Sequence, residues 1–260
     1  MISLGLKIFE KDLKMLKKII NINFINKTMI YLFILNFLSF KNLYAEDVTI
    51  ITQEFPAKTE KWGEKEIGGI AGEIITKAFK DKNITFKVIW MPWKRSQESC
   101  LENLDKKTFI IPFTRNKERE SNYIWTAKLY NADTVFVTYK GSKIINSFNE
   151  AKNKKIGVLL ATSYELSLLN PKNGLNKSDI RSAPHDYINL KDLQDKSIYA
   201  WYTSIIGAYS FLRDQKVDLS MFDFGKKIET EENYIATAKS TDPQISKKVK
   251  NAIESFSKTA

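Results

Sequence analysis

Apolar residues recur along the chain with two different spacings, and these alternate from Val48 onwards. Val48 to Gln53 alternates and is rich in β-branched residues, which predicts a strand. From Ile70 the apolar positions fall four residues apart, as on one face of a helix. Further strands are predicted over 84–91, 108–113, 133–139, 155–160, 198–202 and 234–238, with 217–224 a short strand or a loop. Further helices are predicted from Pro92, Thr162, Ser204 and Pro243, with a short one around Leu190 and Leu193, and loops over 54–69 and 171–178.

Three of these helices carry start signals. Thr162 and Glu165 have the spacing of a capping box, and Ser204 is a favourable N-cap. Asp242 precedes Pro243 as an N-cap and a first helical residue. Strands that alternate with helices predict an α/β protein with largely parallel sheets. The strand–helix units form two sets that divide near Lys140.

The amino-terminal segment has the order of a signal peptide. Residues 29–40 are almost entirely apolar, lysines 14, 17, 18 and 27 precede them, and a small residue, Ala45, follows. The apolar run is shorter than the roughly 20 residues that span a bilayer, although an uncleaved anchor is the alternative. We predict cleavage after Ala45 and export to the periplasm, with a start at Met1, Met15 or Met29.

Charge and composition exclude several classes of function. Without residues 1–45 the net charge falls from +11 to +6, and the lysines that remain are scattered. A nucleic-acid-binding surface would cluster them, so we expect no nucleic-acid partner. Cys100 is the only cysteine and His185 the only histidine, which argues against a disulfide, a zinc site or a catalytic triad. Gly68 to Gly72 lacks the Lys-Ser/Thr of a phosphate loop, so we expect no cofactor.

The segment from Thr114 to Arg119 carries the most specific chemistry. It directly follows an apolar strand, Phe109 to Phe113, and contains a hydroxyl and two guanidinium groups. A guanidinium matches a carboxylate in two parallel hydrogen bonds, and ligands of open α/β sheets bind beyond the carboxyl ends of strands. The segment is therefore a candidate carboxylate site, and the alternative is a solvated charged turn.

With these segments in order, the chain resembles the bacterial extracellular solute-binding proteins of family 3, the amino-acid-binding type of periplasmic receptor, in its Pro-Trp-Lys-Arg branch. Order and spacing agree from about 47 to 257. The matching segments are Glu54-Phe55-Pro56, Gly69 to Ile75, Met91 to Ser96, Thr114 to Glu120, Lys155 to Val158, Ala161 to Ser163, Tyr234 to Ala236 and Asp242-Pro243.

The resemblance implies a two-lobed, type II periplasmic-binding-protein fold, with two mixed, mostly parallel sheets joined by two hinge strands. Residues 46–139 and 234–260 would form the first lobe and 140–233 the second. Val135 to Tyr139 and Tyr234 to Ala238 would be the hinge strands that let the lobes close over a ligand.

The resemblance also implies the ligand contacts. The carboxylate-binding arginine of the family falls on Arg119 and its partner hydroxyl on Thr114, with Arg115 a second candidate. Thr162 and Ser163 would offer free N–H groups at a helix start, although simple capping explains Thr162 equally well. Aromatic residues would line the cleft at Phe55, Trp62 and Trp93, of which Trp93 has core packing as its alternative.

One position departs from the family pattern. Many amino-acid binders place an aspartate at the end of a second-lobe strand, where it pairs with the ligand's α-ammonium, and that position falls on or near Ser204. A hydroxyl cannot neutralise a buried ammonium, so an ordinary α-amino acid is in doubt unless Glu54 or Glu73 supplies the anion.

Three functions remain after this comparison. The leading hypothesis is a monomeric binding protein that captures a small carboxylate-bearing solute and delivers it to a membrane permease of the ABC type or to a sensor receptor. The second is an enzyme on the same scaffold, similar to cyclohexadienyl dehydratases, for which Glu54, Glu73 and His185 are the available acids and bases. The third is a ligand-sensing domain.

Overall fold

The computed structural model describes residues 47–63 and 66–258, and the predicted signal peptide, 1–45, lies outside them. The strands are β1 (Val48–Thr52), β2 (Glu60–Lys61), β3 (Ile67–Gly68), β4 (Phe86–Trp90), β5 (Thr108–Thr114), β6 (Tyr123–Tyr139), β7 (Ile156–Leu159), β8 (Ile180–Ala183), β9 (Ala200–Ser204), β10 (Phe222–Phe224) and β11 (Thr230–Ala238). The α-helices are α1 (Gly69–Asp81), α2 (Trp93–Glu102), α3 (Phe148–Ala151), α4 (Ser163–Leu169), α5 (Asp186–Gln194), α6 (Ile205–Asp214) and α7 (Pro243–Ser257).

The predicted α/β class and all three helix starts are confirmed. Thr162 Oγ1 accepts a hydrogen bond from the backbone N–H of Glu165 at 3.4 Å, and Glu165 Oε2 accepts one from the N–H of Ala161 at 2.7 Å. Ser204 caps α6, and Asp242 accepts two N–H groups of α7 behind Pro243. Each cap satisfies backbone donors that have no partner within the helix.

Several predicted boundaries differ from the structure. β6 begins at Tyr123 rather than at residue 133, because it pairs with β11 along its first eleven residues. β8 was not predicted, since it is mostly solvent-facing and carries no apolar alternation. The predicted loop 54–69 contains the short β2–β3 pair, and Pro92 lies one residue before α2 instead of inside it.

The sheet runs in the order β4-β1-β5-β11-β6-β9-β7-β8. β10 pairs with the end of β6, on the edge opposite β9. The pairs β1–β4, β1–β5, β7–β8 and β7–β9 are parallel, and the pairs that involve β6 or β11 are antiparallel. β6 changes partner along its length: Asp133 pairs with Thr230 of β11, and Thr134 pairs with Ser204 of β9. This one strand therefore joins a half containing β1, β4 and β5 to a half containing β7, β8 and β9.

Each half has its own apolar core. In the first half, α1 and α7 pack with β1 and β5 through Phe79, Ile50 and Ile253. In the second half, Trp201 and Tyr202 of β9 are fully buried, so they fill the core. Burying such side chains stabilises the fold by about 1.5–3 kcal/mol each, which explains why the sheet halves keep their shape.

A further apolar cluster draws residues from both halves. Phe55, Trp93 and Phe113 from the first half pack in it with Leu159 from the second. Cys100 is fully buried in the same cluster, and burial raises its thiol pKa to about 12, which disfavours the reactive thiolate. None of the helices within the described ranges combines the length and the apolarity that a bilayer crossing requires.

Candidate ligand-binding site

Arg119 lies in the turn after β5 with only 6 % of its surface exposed. Its guanidinium donates to the backbone oxygen of Thr114 at 3.1 Å, to Gln97 Oε1 at 3.3 Å and to the backbone oxygen of Ala161 at 3.4 Å. The Cζ atom lies 4.2 Å from the centre of the Phe113 ring, which adds a cation–π contact. The side chain thus bridges the turn after β5, helix α2 and the turn after β7.

The charge of Arg119 has no direct partner among the residues that the structure describes, since none of their carboxylates lies within ion-pairing distance of it. Burial lowers its pKa to about 10, while the more distant charge of Glu231 opposes this shift. The guanidinium remains protonated at neutral pH. A buried cation that contacts only neutral acceptors is suited to an anionic ligand.

A chain of hydroxyl groups leads from Ser163 to a buried carboxylate. Ser163 Oγ donates to Thr114 Oγ1 at 3.1 Å, and Thr114 Oγ1 donates to Glu231 Oε2 at 3.1 Å. Burial raises the pKa of Glu231, and the hydrogen bonds of Ser163 and Thr114 and the charges of Lys58 and Arg119 oppose that shift. Ser163 begins α4 in the second half and Glu231 lies on β11, so this chain connects the two halves.

Lys58 brings a second cation to the same place. A tight turn from Phe55 to Thr59 presents it, and 6 % of the residue is exposed. Its ammonium donates a hydrogen bond to the Tyr164 hydroxyl and lies 4.9 Å from the centre of that ring. Burial lowers the pKa of Lys58 to about 8, against the raising effect of the carboxylates of Glu231 and Asp186.

These groups surround a small cavity of about 20 Å³. That volume holds about one water molecule, so the two halves are closed on each other. The cavity is lined from both halves, by Phe55, Lys58, Trp93, Pro112, Thr114, Arg119, Thr162, Ser163, Tyr164 and Asn233. A wider cavity of about 730 Å³ opens next to it, between Trp62 and Trp90 on one side and Tyr187 and Phe211 on the other.

The structure brings six of the nine predicted site residues together on the small cavity: Phe55, Trp93, Thr114, Arg119, Thr162 and Ser163. Phe55 and Trp93 meet edge to face with ring centres 5.0 Å apart, so Trp93 both packs and lines the cavity.

The other three predicted residues lie elsewhere. Trp62 is 59 % exposed and borders the wider cavity. Arg115 points outward and forms an exposed ion pair with Glu120 at 2.5 Å. Ser204 is fully buried and uses its hydroxyl to cap Gly207.

Sequence reasoning missed Lys58, Tyr164, Glu231 and Asn233. Lys58 lies in a polar loop with no periodic pattern, and Glu231 stands in a part of β11 that the sequence did not predict as strand. Neither carboxylate suggested from the sequence occupies the small cavity: Glu54 is exposed at the wider one, and Glu73 pairs with Lys77 on α1 at 2.9 Å. Residues 230–233 are all polar, so no apolar alternation marks this part of β11 as a strand.

No known family model matches the sequence, and no curated protein matches it. Solved structures do match. An ABC uptake transporter substrate-binding protein from Streptococcus pneumoniae with bound histidine shares 19 % identity at a TM-score of 0.70, over 82 % of this chain and 87 % of that one. The arginine-binding protein ArgBP from T. maritima shares 15 % identity at 0.68, over 81 % and 90 %.

A histidine kinase sensor domain with similarity to periplasmic binding proteins matches at a TM-score of 0.72 with 10 % identity, over 82 % of this chain and 90 % of that one. At such identities the likeness establishes the fold alone. The chain therefore has the two-lobed α/β fold of periplasmic binding proteins, as the sequence predicted.

Proposed function

We propose that this chain is a periplasmic solute-binding protein that captures a small carboxylate-bearing solute, an amino acid or a related polar molecule, between two lobes for an ABC-type transporter. The observation that carries the proposal is the buried guanidinium of Arg119, which faces the small cavity and has no carboxylate partner within the described residues. A ligand carboxylate would complete its coordination with charge-assisted hydrogen bonds, each worth about 1.5–3 kcal/mol.

The proposed lobes follow the sequence division, 46–139 with 234–260 and 140–233. The partner change of β6 between Asp133 and Thr134 supports a crossing strand close to that boundary. The cavity of about 20 Å³ is too small for an amino acid, so capture requires the lobes to separate and close again. A ligand shifts that equilibrium only by binding the closed form more tightly than the open one.

The test is the thermal stability of the purified protein with a panel of small carboxylates, since a ligand that binds only the folded state raises it. We expect Arg119→Ala to abolish the stabilisation by any carboxylate that stabilises the parent. Arg95→Ala is the matched control, because Arg95 is exposed on α2 and does not line the small cavity. Equal binding by the parent and Arg119→Ala would refute the proposed site.

A membrane sensor receptor, in place of a transporter permease, is the second candidate for the partner of this binding protein. The sensor-domain neighbour favours it, because that protein shares this fold with transport receptors. The same pocket would then report on the solute instead of delivering it. Co-purification with a permease or with a membrane receptor separates the two. Turnover of cyclohexadienyl acids by the purified protein would instead support the enzymatic alternative.

A further inference from the structure

Lys58 places a cation inside the proposed ligand site. Its side chain enters from the turn between Phe55 and Thr59, and its ammonium reaches the Tyr164 hydroxyl across the cleft. Gly69 keeps this turn close to α1, since its φ of +73° suits a glycine and a Cβ there would lie 2.7 Å from the Lys58 carbonyl carbon. The backbone of the turn therefore sets where the Lys58 side chain begins, and the Tyr164 hydroxyl holds its ammonium.

The surroundings of this ammonium resemble those that a ligand ammonium would need. The carboxylates of Glu231 and Asp186 are the anions whose charges act on Lys58. Ser204, at the end of β9, adds no negative charge, since its buried side chain is a neutral hydroxyl that accepts the N–H of Gly207. The negative charge of these two carboxylates is thus offset in part by a cation of the chain itself.

The neighbouring helix also disfavours another cation. A Cβ on Gly207, in the first turn of α6, would lie 3.6 Å from Lys58 Cε, so the amine stem runs beside the positive end of that helix. A ligand ammonium placed here would meet both this helix end and the Lys58 charge. Hydroxyl, carbonyl and carboxylate oxygens would instead accept hydrogen bonds from Lys58, since an ammonium is a donor only.

We propose that Lys58 takes the place of a ligand's ammonium group, so that the cleft selects small carboxylates that carry an oxygen function and lack an ammonium. This inference rests on the proposed function, because it requires Arg119 to hold the carboxylate. The ligand class is hydroxy acids and dicarboxylates, and α-amino acids are excluded by like charge.

The experiment compares ligands that differ in one group. The pairs are L-malate with L-aspartate, L-lactate with L-alanine, and 2-hydroxyglutarate with L-glutamate. Each pair is titrated into the purified protein at pH 7 by calorimetry, after a thermal-shift screen. In every pair that binds, we expect the hydroxy acid to bind more tightly than the amino acid.

Two substitutions test whether Lys58 causes the preference. Lys58→Met removes the ammonium and frees Glu231 and Asp186, so the affinity ratio should move toward the amino acid by about tenfold or more. Lys58→Arg keeps a donor-only cation and should keep the preference. Lys82→Met is the matched control, because Lys82 is exposed at the end of α1, away from the cavity. The comparison within the parent protein stands even if Lys58→Met does not fold.

The possible outcomes distinguish a failure of this inference from a failure of the proposed function on which it rests. Tighter binding of amino acids by the parent, lost in Arg119→Ala, would overturn the inference and leave the proposed function standing. A preference for hydroxy acids that Lys58→Met leaves unchanged would also overturn it. Absence of binding in all pairs, or binding that survives Arg119→Ala, would overturn both.

Discussion

At the scale of single residues, two arginines four positions apart have opposite environments. Arg119 is buried against Phe113 and contacts neutral oxygens, whereas Arg115 is exposed and paired with Glu120. From the sequence alone the two arginines are equivalent candidates for carboxylate binding, because both lie in the same loop after the same strand. Only the path of the turn directs one guanidinium inward, so burial and not residue type distinguishes the candidates.

Arg115→Ala is expected to leave carboxylate binding unchanged. Its ion pair with Glu120 is solvent-exposed, and such pairs contribute little to stability. Calorimetric titration of the variant with a ligand of the parent measures the effect. Loss of affinity equal to that of Arg119→Ala would restore Arg115 as the carboxylate ligand.

Lys58 gives a prediction for alkaline pH. Its pKa is lowered from 10.5 to about 8 in the folded protein. Between pH 8 and 10 the unfolded chain therefore binds more protons than the folded one, and the free energy of unfolding should rise with pH relative to a variant without this lysine. The full shift corresponds to on the order of 3 kcal/mol.

Urea unfolding of the parent and of Lys58→Met from pH 7.5 to 10 checks this, because titratable groups that do not interact with Lys58 contribute equally to both proteins. Tyr164 stays protonated in the folded protein over this range, since burial raises its pKa well above 10. Parallel profiles for the two proteins would show that Lys58 is solvated in solution.

At the scale of elements, helix starts were the most predictable features. A cap depends on a few neighbouring residues, so Thr162, Ser204 and Asp242 act as the sequence indicates. Strand limits were less predictable, because the first eleven residues of β6 are held by pairing with β11, which lies about one hundred residues away in the chain.

Asp242→Ala should lower the free energy of unfolding by about 1 kcal/mol, the usual cost of losing an N-cap. Asp242 accepts the N–H groups of Gln244 at 2.7 Å and Ile245 at 3.4 Å, and the helix it caps packs into the core through Val249 and Ile253. Chemical denaturation measures the change. Asp242→Asn retains an acceptor and serves as the control, so an equal loss in both variants would point to a cause other than the cap.

At the scale of the whole molecule, the small cavity requires both halves of the sheet. Arg119 and Lys58 come from the first half, and Ser163, Tyr164 and the Ala161 carbonyl come from the second. The contacts between halves are mostly polar, apart from the cluster around Phe55 and Leu159. Polar contacts exchange readily with water, which suits an interface that opens and closes.

Small-angle X-ray scattering tests the opening. A compact chain of the 215 residues that follow the predicted signal peptide (260 − 45) has a radius of gyration of about 17 Å. We expect a larger value without ligand and a decrease toward the compact value when a bound carboxylate is added. Arg119→Ala should show no decrease at the same ligand concentration. Identical values with and without ligand in the parent would argue against closure on binding.

The sequence by itself determined the α/β class, the order of most strands and helices, the caps and the loop that carries Arg119. These follow from local spacing and from residue chemistry, which neighbouring positions contain. Only the tertiary structure decided that Lys58 lines one cavity with Arg119 and that Glu231 is linked to that cavity through Thr114. These two facts depend on contacts between segments about one hundred or more residues apart, between Lys58 and Tyr164 and between Thr114 and Glu231, and no local pattern records them.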